Sequence, residues 1–277
     1  MQRVTARQPL PISVCLIAGN EAQRIHRALD SVSGWTSEII VVTDDKTTDG
    51  TEQIAESCGA KVFREPWKDH ATHRNFASGK AAQPWLLGLD ADEVVSPKLR
   101  AEIQKLFAEP EKLARFAAFS FPRCTLYCGR WIRHGDWYPD RKIRLWRRGQ
   151  ALWVGGSLHE KLVVQGAIGR LRGDLLHYSM ENLDHHTRKS ITVSNLFLNR
   201  ELERQRRANL FELCFRPWWR FVRGYFLRLG FLDGWQGYVI ARMVAFETFL
   251  RYAKVRETQT ARKTVAASGD PSARRVP

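Results

Sequence analysis

The sequence predicts an α/β fold: a mostly parallel sheet flanked by helices, followed by a C-terminal amphipathic helical extension. Three observations carry the prediction. Short β-rich apolar runs alternate with segments of helical apolar spacing through the first hundred residues. Acidic residues gather where those runs end. Beyond residue 200 the chain turns basic and aromatic with helical periodicity.

Each element follows from its residues. Ile12–Ala18 is a strand buried on both faces, closed by Gly19, Asn20 and Glu21, and Ile25, Ala28, Leu29 and Val32 then recur at helical spacing. Glu38–Thr43 is a second buried strand, ended by the polar run Asp44–Gly50. Thr51–Cys58 opens a helix with Asp49 or Thr51 as its N-cap. Lys61–Phe63 is a brief third strand, a helix is expected over 72–82, and Trp85–Leu89 is a fourth strand running into Asp90, Ala91, Asp92 and Glu93. In parallel doubly wound sheets ligands sit at the carboxyl ends of the strands, so these acids stand where chemistry is done.

Charge divides the chain. Residues 1–100 carry 12 basic and 13 acidic residues, 101–200 carry 17 and 9, and 201–277 carry 15 and 7. A near-neutral front and a basic back suit a catalytic half and a half facing something anionic: nucleic acid, phosphorylated glycan or an anionic membrane leaflet. Five scattered cysteines read as reduced thiols in a cytosolic setting. Neither a secretory leader nor an apolar stretch of about 18 residues is read, so a soluble or peripheral protein is expected.

Asp90 and Asp92, one residue apart just past a buried strand, can project together into a cleft and suit Mg²⁺ or Mn²⁺. The plainer reading makes Asp92 and Glu93 the acidic first turn of the helix that follows. Asp44 likewise reads as either a ligand-binding acid or a turn former.

Taken together, Ile12–Glu21 (ISVCLIAGNE), Ile39–Thr51 (IIVVTDDKTTDGT) and Leu86–Glu93 (LLGLDADE) resemble the family 2 glycosyltransferases of the GT-A fold. Asp140–Leu145, Leu158–Glu160 and Gly230–Gly234 extend the resemblance to the branch that adds glucose to the heptose of the lipopolysaccharide inner core. It covers roughly residues 10–256. Departures are Thr43 before the aspartate, Asp45–Lys46 in place of small residues, and Gly19 before Asn20. The resemblance implies an inverting, metal-dependent hexosyltransferase using a UDP-sugar. It implies that Asp44 binds the base, Asn20 and Glu21 shape the nucleotide pocket, Arg74 approaches the diphosphate, and Asp90 touches the ribose or sugar. Asp92 would ligate the metal. A divalent ion neutralises the departing diphosphate without a protonating acid.

Inverting transfer needs a carboxylate to take the acceptor proton. Two places offer one, Asp136 in Arg133–Trp137 and Glu160 after Gly155–Leu158; the resemblance favours Glu160, with His159 a neighbour of the metal or diphosphate. Pairing of Glu160 with an arginine is the alternative. Gly155–Ser157 lacks the second glycine of a nucleophile elbow, and Cys124, Cys128 and His134 make a poor zinc set. His177, His185 and His186 show no motif geometry and read as surface or core residues. The run Arg141–Arg148 reads as a half-buried strand whose basic side meets acceptor phosphates or solvent.

The expected organisation is therefore a GT-A domain over 1–200, with a nucleotide-sugar half at about 10–100 and an acceptor half at about 101–200. A basic aromatic helical extension follows over 201–256 and a disordered tail over 257–277. Within the extension Arg216, Arg220 and Arg223 fall on one side of a helical wheel, opposite Trp218, Val222, Tyr225, Phe226 and Leu229. This is the pattern of a helix lying in a membrane interface, or of one packing its aromatics on the domain. Pro217 suits a first turn, and Gly230, Gly234 and Gly237 break the segment before a helix over 238–254. The expected partners are a UDP-sugar, a lipid-linked glycan such as lipopolysaccharide core, and the cytoplasmic leaflet of the inner membrane. A polypeptide or polyprenyl phosphate acceptor is the same-fold alternative. A non-enzymatic basic module binding nucleic acid is the competing class; no nucleic acid is expected, because that module has no use for acids at successive strand ends.

Overall fold

A computed structural model of the chain describes residues 8–155, 160–180 and 182–268, with side chains through Ala261. The chain divides into two compact units, Met1–Thr125 with Pro139–Ser179, and Leu126–Tyr138 with Met180–Pro277.

In chain order the elements are β1 (Leu10–Ala18), α1 (Ile25–Asp30), β2 (Thr36–Thr43), α2 (Thr51–Ser57), β3 (Lys61–Arg64), α3 (His70–Lys80), β4 (Trp85–Asp90), β5 (Glu93–Val95), α4 (Pro97–Phe107), α5 (Pro110–Ala114) and β6 (Ala118–Tyr127). There follow β7 (Arg130–Trp131), β8 (Asp140–Arg147), β9 (Ala151–Val154), β10 (Lys161–Val164), β11 (Ile168–Arg170) and β12 (Leu175–Met180). The helical region comprises α6 (Leu183–Glu203), α7 (Leu210–Val222) and α8 (Gly234–Ser268).

The main sheet runs β3-β2-β1-β4-β8-β6-β12-β5. Its first four strands are parallel, and β8 and β6 then continue it antiparallel. This is the mostly parallel, helix-flanked α/β arrangement of the GT-A fold expected from the sequence. Alternation along the strands sends Ile12, Val14, Leu16, Val41, Leu87 and Leu89 to one apolar layer with α1 and α4. Cys15, Ile40, Val42 and Leu86 go to the other, with α3. Burial on both faces is why these runs are continuously apolar. Helix α2 is capped by Gly50 at φ 90°, a left-handed conformation glycine adopts without strain, rather than by Asp49 or Thr51. Asp49 instead accepts from Thr51 and from the Ala22 amide.

In the second unit, Asn209 and Glu212 form a capping box at the start of α7. Pro217 therefore lies inside this helix and not in its first turn. A π-helical turn, Arg223–Leu227, and a 3₁₀ turn, Gly230–Asp233, lead into α8. Gly237 does not break the chain. It lies within α8, where an added Cβ would stand 1.9 Å from the Gly230 carbonyl oxygen, so its lack of a side chain permits the contact. The two units do not follow the division at residue 200, which falls inside α6. Nor does helix stop at 256: with no glycine or proline between Gly237 and Ser268, α8 continues through Ser268.

The two sides of α7 lie opposite to the arrangement of an ordinary soluble helix. Arg216, itself exposed, pairs with Glu212 and the Tyr252 hydroxyl, and the half-buried Arg220 and Arg223 pair with Asp136. The aromatic side faces out, with Phe211, Phe215 and Trp218 exposed.

Candidate active site

Sheet register sets the site. Ala18 pairs with Thr43 and Ile17 with Asp90, so the ends of β2, β1 and β4 lie side by side. Asn20 and Glu21 follow the middle strand, with Asp44 after one neighbour and Asp90 ending the other. Asn20 Oδ1 accepts from the Thr48 amide at 3.0 Å, and the Glu21 amide donates to Thr51 Oγ1 at 2.9 Å. Asn20 thus fastens the loop after β1 to the loop after β2.

The acids share one field. Burial raises the Glu21 carboxyl; Arg24 opposes this, and the negative charges of Asp92, Asp49 and Asp90 add to it. Asp44 and Asp45 share a hydrogen bond that pulls Asp44 down and pushes Asp45 up, with the Lys46 and Trp67 amides also favouring ionised Asp44.

Asp90 lies between two guanidinium groups, Oδ1 at 2.5 Å from Arg74 Nη2 and Oδ2 at 2.5 Å from Arg144 Nη2. Burial works to raise its carboxyl, but Arg144, Arg74 and Arg123 hold it well below the usual carboxylate range. Arg144 also reaches the fully buried Glu93 at 2.8 Å, and Arg123 joins Glu93 to Asp140. Glu93 Oε2 in turn accepts from the Asp90 amide. The result is a ladder of alternating charges, with Arg74 and Arg144 also lying over the Trp153 ring. The basic residues expected to meet phosphates are thus committed elsewhere: Arg144 faces the site acids, while Arg141, Arg147 and Arg148 donate to backbone carbonyls.

Glu160 joins this ladder, its Oε1 at 3.3 Å from Arg74 Nε and its Oε2 at 4.0 Å from His70 Nδ1. It therefore does pair with an arginine, and that arginine is the one holding Asp90. Asp136, the other candidate base, is consumed in the second unit, where Arg220, Arg223 and Arg228 lie 3.4, 2.8 and 3.2 Å from its buried carboxylate. His159 lies outside the described residues.

Asp92 faces His177, Oδ2 to Nε2 at 3.4 Å. Burial works to raise the Asp92 carboxyl, and the hydrogen bond and charge of His177 outweigh it and lower it. The other ring nitrogen of His177 meets Thr125 and Ser179 hydroxyls, which fixes the ring. Sequence reasoning set His177 aside. Its place comes from antiparallel pairing of β12 with β5, His177 opposite Glu93, a long-range register no local spacing encodes. Trp67, exposed beside His70 and His73, was also missed.

A carboxylate and an imidazole whose far nitrogen is held by hydroxyls make an oxygen–nitrogen donor pair that fits Mn²⁺ better than the oxygen-demanding Mg²⁺. Asp90, with both oxygens on arginines, is the poorer donor.

The profile described as Glycosyl transferase family 2 matches residues 13–163. An uncharacterized glycosyltransferase of Rickettsia typhi (strain ATCC VR-144 / Wilmington) is 31% identical over 266 residues, covering 93% of this chain and 90% of that protein. The lipopolysaccharide core biosynthesis glycosyltransferase LpsC of Rhizobium meliloti (strain 1021) is 28% identical over 258 residues, covering 89% and 92%. Among solved structures, S. aureus TarS 1-349 in complex with UDP-GlcNAc aligns with a TM-score of 0.48 at 15% identity, covering 90% of this chain and 91% of that one.

Proposed function

This chain belongs to glycosyl transferase family 2, and from that premise we propose that it transfers a hexose, glucose in our reading, from a UDP-sugar to a lipid-linked saccharide with inversion. The acceptor we propose is heptose of the lipopolysaccharide inner core, at the cytoplasmic face of the inner membrane; the similarity to LpsC supports this acceptor class. The observation that carries the donor reading is the convergence of Glu21, Asp44, Asp90 and Asp92 at adjacent strand ends, with His177 and Glu160 brought in from later segments.

In this reading Asp44 accepts from the N–H of the base. Asn20 holds the two loops that enclose the nucleotide. Asp90 receives sugar or ribose hydroxyls on lone pairs its arginines leave free. Asp92 and His177 hold the divalent cation, whose chemistry, when bound, is neutralisation of the departing diphosphate charge. Glu160 takes the proton of the acceptor hydroxyl as its oxygen bonds to the anomeric carbon and the bond to the UDP oxygen breaks. Arg74, gripping both Asp90 and Glu160, sets the base relative to the sugar.

Calorimetric titration of UDP-glucose with and without Mn²⁺, on wild type and Asp92→Ala, tests the donor half. Metal-dependent binding lost in the variant supports it; metal-independent binding shared by both proteins refutes it. The acceptor half is tested by release of UDP on adding heptose-terminated lipopolysaccharide core.

A further inference from the structure

We infer that the outward aromatic side of α7, the turns after it and the start of α8 is a docking surface for an anionic lipid bilayer. The inference deepens the proposed function, resting on the reading that the acceptor is lipid-linked. Six residues define the surface: Phe211, Phe215, Trp218, Phe226, Leu227 and Trp235, whose exposures run from 40 to 64%. Phe211, Phe215 and Trp218 form one continuous stripe, with ring centroids 4.7 and 5.5 Å apart in succession. An amphipathic helix in water buries its apolar side. Here the opposite side is the ion-paired one: Glu212 is buried, and Arg216, Arg220 and Arg223 keep 47, 37 and 31% of their side chains exposed while pairing with Glu212 and Tyr252 or with Asp136. The packing of the unit thus holds the aromatic stripe outward, and apolar patches of this kind mark contact surfaces.

Charge selects the occupant. The unit made of Leu126–Tyr138 and Met180–Pro277 carries 20 basic and 10 acidic residues. Arg130, Arg204 and Arg228 keep well-exposed side chains there. A second copy on this surface would bring two such positive units together, whereas anionic headgroups complement them. Tryptophan and phenylalanine beside arginine suit the headgroup boundary, where rings enter the acyl edge and guanidinium groups meet phosphates. None of the described helices is long and apolar enough to cross a membrane, so contact on this surface would be interfacial.

The test uses the full chain with two sets of vesicles, phosphatidylcholine alone and phosphatidylcholine mixed with phosphatidylglycerol. Co-sedimentation and tryptophan emission are read for wild type and for Phe211→Ser/Trp218→Ser/Leu227→Ser. Wild type should partition onto the anionic vesicles with blue-shifted emission, and the triple variant should lose at least about tenfold in partitioning. The substituted side chains are exposed, and unchanged helical circular dichroism and thermal melting, with unchanged UDP-sugar binding, show that both units of the variant are folded. Equal partitioning of both proteins, or none of wild type onto anionic vesicles, overturns the inference. So does a doubling of mass in vesicle-free solution that the triple substitution abolishes, which would assign the surface to a second copy. Vesicle binding without UDP-sugar binding would instead sink the transfer reading and leave the docking surface standing.

Discussion

His177 Nε2 stands 3.4 Å from Asp92 Oδ2, joining a residue of β12 to the turn after β4. Removing either partner is expected to weaken the same function. His177→Ala should raise the Mn²⁺ concentration for half-maximal UDP-sugar binding about 10- to 100-fold, and Asp92→Ala should raise it more. Metal titrations of both variants check this, and a His177→Ala curve superimposing on wild type would remove the imidazole from the metal site.

Glu160 and Asp136 are separated by opposite expectations. Glu160→Gln should lower kcat about 100- to 10,000-fold with UDP-sugar affinity nearly unchanged, as loss of a general base does. Asp136→Asn should act on stability, because Arg220, Arg223 and Arg228 lose their shared counter-charge. Steady-state kinetics beside thermal melts distinguish the two.

Arg144 is buried between Asp90 and Glu93. Arg144→Met leaves Asp90 with Arg74 and Glu93 with Arg123 as their remaining guanidinium partners, and should cost about 3–5 kcal/mol in denaturant unfolding. Adding Glu93→Gln to that variant should recover part of the loss, since the fully buried negative charge left under-compensated is then gone. Additive destabilisation by the pair would show that the two do not interact.

Gly237→Ala should destabilise the second unit by about 1–3 kcal/mol or more, because the new methyl meets the Gly230 carbonyl. Its neighbour Tyr238 is exposed and meets Tyr225 and Phe221 only by ring edges, so Tyr238→Ala in the same helix is expected to cost less. Paired melts of the two variants read the difference.

His186 is buried with Tyr127, Tyr127 Oη lying 3.0 Å from its Nδ1. Burial, then the charges of Lys189 and His185, push its ring down to about 4, whereas an unfolded histidine titrates near 6.5. Below that value the unfolded chain binds the proton more readily. Stability should therefore be complete above about pH 6.5, fall as pH drops towards about 4, and level off below, a loss of up to about 3 kcal/mol. Unfolding free energies against pH, compared with His186→Gln, isolate this contribution.

Much of the first unit was legible because its information is local. Ile12–Ala18, Glu38–Thr43 and Trp85–Leu89 are apolar without interruption because both of their faces are covered, and the acids at their ends lie in the order the parallel register needs. Asp44, Asp90 and Asp92 could be chosen on those grounds, whereas Asn20 and Glu21 rest on the family resemblance. The ion pairing of the Arg216–Arg223 side of α7 with Glu212 and Asp136 could not, since a helical wheel separates two faces without saying which partners the rest of the chain will supply.

The sequence by itself determined the layered fold, the strand-end acids and the split between neutral front and basic back, because hydrophobic periodicity and charge are properties of neighbouring residues. Tertiary structure alone decided that His177 meets Asp92, that Arg74 binds Asp90 and Glu160 together, and that Asp136 is spent on three arginines. Those outcomes follow from sheet pairing and helix packing between distant segments. There the pairing of buried charge selects the partner, and sequence spacing does not.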